Sequence, residues 1–136
     1  MAAALPALPR FFHGLSFAPV VRKLVSQAYP FESLTVHENG SFRSRAILTG
    51  KTQSGVALDL HESELQIGRM PHPPHQHPHE ELLLIREGQI DITIAGETTR
   101  LSSGSVAYIA SNELHGWKNT GTHTASYFVV ALGNDK

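Results

Sequence analysis

The chain has 136 residues, a formal net charge of −1, nine histidines and no cysteine. This length corresponds to one domain whose core can support folding without disulfide bonds. The near-neutral charge does not indicate nucleic acid or an anionic membrane surface as a partner. The absence of cysteine excludes disulfide bonds and thiolate metal ligands. No apolar run approaches the length of a membrane span.

Residues 1–30 predict an N-terminal arm that precedes the main domain at 31–136. Residues 1–9 are rich in Ala, Leu and Pro, which is typical of either the remnant of a secretory signal or a loosely held arm. Residues 20–27 carry apolar side chains at helical spacing and predict a short helix. We expect a cytoplasmic protein, or a periplasmic or secreted one if the signal interpretation is correct.

From residue 31 onward the pattern changes to short β-strands separated by turn residues. Val56, Leu58 and Leu60 alternate with less apolar positions, which is the period of two that a half-buried strand requires. Many short strands with glycine-rich turns predict a sandwich or barrel. The candidate strands cover residues 32–38, 42–49, 56–61, 82–86, 90–94, 98–101, 105–109, 114–119 and 124–132.

The segment from Gly68 to Gly88 contains the densest group of candidate metal ligands. Its prolines argue against a helix and predict an extended loop. Side chains at i and i+2 of an extended chain point the same way, so His75 and His77 can converge on one ion, and Glu81 returns to that face. His115, in a second segment, supplies a further imidazole. Nitrogen and carboxylate donors of this kind bind divalent ions.

These two segments resemble the two sequence motifs of the cupins. The first cupin motif is Gly, five residues, His-x-His, three or four residues, Glu, six residues, Gly; here six residues separate Gly68 from His75, and the rest matches through Glu81 to Gly88. The second motif is Gly, five residues, Pro-x-Gly, two residues, His, three residues, Asn. It matches from Gly104 through His115 to Asn119, with Ala110 and Asn112 in place of the proline and glycine.

The resemblance implies an all-β fold, the double-stranded β-helix or jelly-roll barrel of the cupins. It implies one divalent transition metal ion per chain, Fe, Mn, Ni, Zn or Cu, held by His75, His77, Glu81 and His115. The alternative interpretation is a solvated histidine-rich tract that binds metal non-specifically, but that alternative does not explain His115. We place His72 and His79 in the loop or at its rim. Glu80 should point away from the ion.

Other residues near the motifs are candidates for chemistry. Tyr108 is a candidate acid or base, although a tyrosine here can equally pack. Trp117 and Asn119 share strand parity with His115 and are candidates for substrate binding, with core filling as the alternative for Trp117. Arg45, on the same strand face as Arg43, is a candidate for binding an anionic substrate unless that face is simply solvated.

The resemblance leaves two main classes of function open. The first is a metal-dependent enzyme acting on a small organic molecule, of the dioxygenase, lyase, isomerase or hydrolase type. The second is a non-catalytic protein that binds or senses a small ligand. A single unit with an intact ligand set argues against a storage role. The apolar run from Phe11 to Val25 needs a cover, and small cupins are often paired, so we expect a homodimer.

Overall fold

The computed structural model describes residues 22–133, and they form an almost entirely β architecture. Outside the strands there is a single turn of 3-10 helix at Phe31–Ser33 among these residues. None of the helices described is long or apolar enough to cross a membrane. The strands are β1 (Val36–Asn39), β2 (Phe42–Lys51), β3 (Ala57–Leu65), β4 (Glu80–Glu87), β5 (Ile90–Ile94), β6 (Glu97–Leu101), β7 (Val106–Ile109), β8 (His115–Asn119) and β9 (Ala125–Leu132).

The strands form two antiparallel sheets. The larger sheet has the order β1-β2-β3-β9-β4-β7, and the smaller has the order β6-β5-β8. Strands that neighbour each other in these sheets are often distant in sequence, as β3 and β9 are, so the chain crosses between the sheets repeatedly. The all-β jelly-roll barrel expected from the sequence is confirmed.

Alternation along the strands separates an inner from an outer face. On β4, Glu81, Leu83 and Ile85 are buried, whereas the residues between them are partly exposed. The same period of two on β5 buries Ile90 and Ile92. Apolar side chains from both sheets therefore meet inside the barrel and form its core: Leu65, Leu83, Ile85, Ile90, Ile92, Leu101, Ile109, Trp117, Ala125, Tyr127 and Val129.

The N-terminal arm differs from the sequence prediction in the part that is described. Residues 20 and 21 of the predicted helix, and the whole of the 1–9 segment, lie outside the described residues. Residues 22–27 are not helical, and Lys23 forms an isolated parallel bridge with Lys51. Leu24 N donates to Lys51 O (2.7 Å), and Lys51 N donates to Arg22 O (2.9 Å). Because β1 pairs with β2 only as far as Arg45, the remaining edge of β2 is open and the arm occupies it.

An ion-pair network covers part of the outer face of the larger sheet. Arg45 Nη1 lies 2.8 Å from Glu62 Oε2 and 3.3 Å from Glu64 Oε1. The ring of Phe31 covers the Arg45 guanidinium at 4.5 Å from its centroid, and Glu62 is fully buried. Burial raises the pKa of Glu62 above its usual value even though Arg45 opposes this change. The pair therefore depends on both partners being present.

We expect Arg45→Met to lower the free energy of unfolding by about 3 kcal/mol, because it removes the closest cation from the buried Glu62 carboxylate. The double variant Arg45→Met/Glu62→Leu should recover most of that loss, since it removes both buried charges. Chemical denaturation of the two variants and the parent chain measures the difference. A double variant less stable than the single one would contradict this account.

Candidate metal centre

The proline-rich loop between β3 and β4 is tied to β8 by backbone hydrogen bonds. Gly68 N donates to Asn119 O (2.9 Å), and Asn119 N donates to Arg69 O (3.0 Å). Further along, His75 and His115 exchange a reciprocal pair of 2.9 Å hydrogen bonds. The loop therefore runs as an irregular extra strand beside β8, whose other edge pairs with β5.

Gly116 allows the loop to approach β8 closely. A Cβ atom built on Gly116 would lie 3.2 Å from both Cα and Cγ of Pro74, closer than most side-chain carbons tolerate. Gly116 is buried between His115 and Trp117. Any side chain at position 116 would push Pro74 away, and the neighbouring His75 with it.

Three imidazoles and one carboxylate converge at the inner end of the loop. The ring centroids of His75, His77 and His115 are 4.8 to 4.9 Å apart in all three pairs. Glu81, on the inner face of β4, places Oε1 3.1 Å from His77 Nε2. Its Oε2 lies 3.5 Å from His115 Nε2. These side chains are the four ligands proposed from the sequence motifs, and the fold brings all of them together.

The hydrogen bonds of the Nδ1 atoms of His77 and His115 determine where the proton lies on each of these two rings. His77 Nδ1 lies 2.9 Å from His79 O, and His115 Nδ1 lies 2.8 Å from Glu113 O. A carbonyl oxygen can only accept, so both Nδ1 atoms carry the proton, and in a neutral ring Nε2 then carries a lone pair. At 3.1 Å the lone pairs of His77 Nε2 and Glu81 Oε1 oppose each other unless a cation lies between them.

The donor atoms that face the centre are buried and have no hydrogen-bond partner among the described residues: His75 Nε2, His77 Nε2, His115 Nε2 and Glu81 Oε2. Such atoms are costly unless something binds them. Protons on all three rings would put three cations within 5 Å of one another. Burial is the main cause that lowers the pKa of His75 below its ordinary value, and the neighbouring His72 is the next largest cause. A lowered pKa favours the neutral ring that a metal needs.

The spacing of the donors fits a metal ion. Two donors bonded to one ion at about 2.1 Å stand about 3.0 Å apart in octahedral geometry and about 3.4 Å apart in tetrahedral geometry. Glu81 Oε1 lies 3.1 Å from His77 Nε2, and Glu81 Oε2 lies 3.5 Å from His115 Nε2. Both separations are close to these values. Since nitrogen and oxygen donors suit divalent transition ions, the cluster has the geometry and the chemistry to hold one.

Two further histidines flank the ligand set, although the sequence pattern placed His79 only in the loop or at its rim. The ring of His72 stacks on His75 at a centroid distance of 3.9 Å, and that of His79 stacks on His77 at 3.6 Å. His79 Nε2 also lies 3.0 Å from Glu81 Oε1. The signal was present in the sequence, because residues 75, 77, 79 and 81 share one parity in an extended chain.

The structure places two of the other candidates on the wrong face for a role at this centre. Arg45 lies on the outer face of β2, bonded to Glu62, and so cannot reach a substrate inside the barrel. Tyr108 is 54 % exposed on the outer face of β7, where its hydroxyl donates to Glu80 Oε1 at 2.6 Å. Glu80 points away from the centre, as strand parity predicts.

Asn119 and Trp117 are on the inner face, but only Trp117 is close to the centre. The Asn119 amide donates to Leu65 O and His123 O, both at 2.8 Å, and its oxygen accepts from Gly121 N. Asn119 is therefore fully engaged in holding the far end of β8 and is not available to a substrate. Trp117 is buried beside His115, with ring centroids 6.1 Å apart.

The fold and this centre together define a class: an antiparallel two-sheet barrel with three imidazoles and one carboxylate turned inward. The family model of the cupin domain matches residues 61–131. The chain therefore belongs to the cupin family. No curated protein is significantly similar to it.

Solved structures of low sequence identity share the fold. KdgF from Halomonas sp. has a TM-score of 0.68 at 15 % identity, over 82 % of this chain and 97 % of that one. The polyketide cyclase RemF from Streptomyces resistomycificus has a TM-score of 0.65 at 20 % identity, over 81 % of each chain. A predicted oxalate decarboxylase from Thermotoga maritima has 0.65 at 15 %, over 79 % of this chain and all of that one.

Replacing His75 or His115 by Ala should strongly lower the metal that the protein retains, because each removes one donor of the cluster. His72→Ala should leave the metal content near that of the parent chain, since His72 stacks on His75 without facing the centre. Elemental analysis after dialysis measures all three variants. Equal losses in all three would favour a non-specific histidine tract over a defined centre.

Proposed function

We propose that the protein is a metal-dependent enzyme that acts on a small organic molecule at the His75, His77, Glu81 and His115 centre. The observation that carries the proposal is the convergence, inside the barrel, of four buried donor atoms that have no hydrogen-bond partner among the described residues. The ion would be Fe, Mn, Ni, Cu or Zn. Because affinity alone favours Cu or Zn, the metal found in a purified sample need not be the one that works in the cell.

The charge of the centre supports a reactive role. Three neutral imidazoles and one carboxylate leave a bound divalent ion with a net charge of about +1. A donor set of this size also leaves coordination positions open for a substrate. An anionic or enolate-like substrate would be attracted to and stabilised by that charge. When bound, the ion would supply Lewis-acid or, if redox-active, electron-transfer chemistry.

The side chains around the donors shield part of the centre from water. His115 and Trp117 are both almost completely buried, and His72 stacks on His75 while its ring centroid lies 5.8 Å from that of Trp117. In a partly shielded environment each electrostatic contact to a bound substrate is stronger than in water. Tyr108 and Arg45 play no part in this proposal, because both are on the outer face.

The reaction itself is not specified by the fold. The structural neighbours carry the names of a polyketide cyclase and of a predicted oxalate decarboxylase, which are different reactions on one scaffold. Dioxygenase, lyase, isomerase and hydrolase activities all remain candidates, since function resides in the site and not in the fold.

The second candidate function is binding or sensing of a small ligand without turnover. A substrate screen on metal-loaded and chelator-treated protein separates the two. Turnover that disappears with the metal and returns when the metal is restored supports the enzyme. Saturable binding of a ligand that is never converted supports the sensor.

The role of Glu81 is tested by Glu81→Gln, which keeps the size of the side chain and an oxygen donor but removes the only negative charge among the four ligands. We expect this variant to fold, to bind metal more weakly, and to change substrate affinity or turnover more than the thermal stability of the metal-free protein. Elemental analysis, a thermal melt and the substrate screen measure the three effects.

Glu80→Gln is the matched control, because Glu80 is adjacent in sequence but bonds to Tyr108 on the outer face. Its metal content should equal that of the parent chain. If Glu80→Gln empties the centre while Glu81→Gln leaves it full, the ligand register is wrong by one residue.

We also propose that the protein is a homodimer that packs through the outer face of the larger sheet. Cross-strand pairs on β4, β7 and β9 bring apolar side chains together on that face. Val106 and Tyr108 are more than half exposed there, and an apolar surface of this kind is typical of an interface. The apolar side chains on this part of the face are Leu82, Leu84, Val106, Tyr108, Phe128 and Val130.

Light scattering at micromolar concentration should give the mass of two chains. Val106→Arg should shift the protein to monomer, because it places a charge within the proposed interface. Ile67→Arg is the control: Ile67 is equally exposed, at 56 %, but lies in the loop after β3. A parent chain that is monomeric under these conditions would contradict the proposed homodimer.

A further inference from the structure

His79 lies beside the ligand set but faces the carboxylate and not the centre of the three imidazoles. Its Nε2 atom lies 3.0 Å from Glu81 Oε1, and its side chain is mostly buried. An ionised carboxylate can only accept hydrogen bonds. The Nε2 atom of His79 is therefore the donor, and Glu81 Oε1 is its acceptor.

This hydrogen bond leaves the two oxygens of Glu81 unequal. Oε1 is engaged by His79, whereas Oε2 is buried and has no hydrogen-bond partner among the described residues. Oε2 is also the oxygen that faces His115 Nε2. Both oxygens therefore face donors of the centre, since Oε1 lies 3.1 Å from His77 Nε2, and Oε1 is in addition held in place by His79.

The same residue also holds a second ligand through its backbone. His77 Nδ1 donates to His79 O at 2.9 Å, which leaves His77 Nε2 as the ligand atom. The two rings stack in parallel, with a centroid distance of 3.6 Å and an interplanar angle of 4°. Hydrogen bonds to the groups that bind a metal orient them and increase metal affinity.

We propose that His79 is a positioning residue that holds the Glu81 carboxylate through a hydrogen bond to Oε1 and so orients it toward the ion. This inference rests on the metal centre of the proposed function. His79 is not itself one of the ligands in this account.

Two substitutions separate the hydrogen bond from the stacking. His79→Phe keeps a flat ring against His77 and removes the donor. His79→Gln keeps an N–H donor at a similar distance from the backbone and removes the ring. The backbone contact to His77 survives in both. We expect His79→Phe to weaken metal binding about tenfold and His79→Gln to stay within about threefold of the parent chain, measured by competition with a chelator for Co²⁺.

A double-mutant cycle tests whether His79 acts through Glu81. In a Glu81→Ala background, His79→Phe should change the affinity for Co²⁺ less than about twofold, because the acceptor is gone. His72→Phe is the control for loss of a neighbouring histidine that stacks on a ligand without contacting Glu81, and it should bind like the parent chain. Thermal melts of the metal-free variants check that each one folds.

The outcomes distinguish this inference from the proposed function. If the parent chain binds no metal, the proposed function fails and the inference fails with it. If the parent chain binds metal but the effects of His79→Phe and Glu81→Ala are additive, only the inference is overturned. Pulsed electron paramagnetic resonance of the Cu²⁺ form counts the bound imidazoles. Loss of one imidazole in both His79→Phe and His79→Gln would make His79 a ligand and would also overturn it.

Discussion

Two backbone hydrogen bonds of 2.9 Å join His75 to His115 and tie the proline-rich loop to β8. Everything at the metal centre depends on this connection, because His75 and His77 come from the loop while His115 comes from the strand. Prolines surround His75 and cannot donate, so the His75 N–H is one of the few backbone donors that the loop can use here. Gly116 then lets Pro74 pack directly on β8. A loop without hydrogen bonds of this kind would not hold two ligands in register with a third.

The parts of the molecule that depend on short-range pattern could be predicted from the sequence. Period-two alternation in residues 56–61 predicted a strand where β3 lies, because a strand with one buried face needs that pattern to bury its apolar side chains. The same parity separated Glu80 from Glu81, and the structure places Glu80 on the outer face, bonded to Tyr108. The spacing of the two motifs brought together His75, His77, Glu81 and His115, since ligands that bind one ion must keep fixed separations along their strands.

The features that the sequence did not reveal depend on contacts between distant segments. Strand parity shows which residues share a face with Arg45, but it does not show whether that face is inside or outside the barrel. The ion pair with Glu62, which comes from another strand, places Arg45 on the outer face. Asn119 shares the parity of His115 but lies four residues away, about 13 Å along an extended strand, so it serves the opposite end of the barrel. Residues 22–27 have helical spacing, yet they are not helical, because the open edge of β2 offers hydrogen bonds to Arg22 and Leu24.

Groups of the protein outside the ligand set hold each ligand in place. Prolines restrict the loop before folding and so reduce the entropy lost when it becomes ordered. Carbonyl groups fix the rings of His77 and His115, and His79 fixes Glu81. Without an ion this arrangement would have an electrostatic cost, because lone pairs would oppose each other in a buried site where charges are weakly screened. The barrel has a separate apolar core to offset such a cost, whereas small metal-dependent domains have no such core and unfold without metal. A bound cation would remove that repulsion, and its binding would add to the stability of the folded chain in proportion to the logarithm of its affinity.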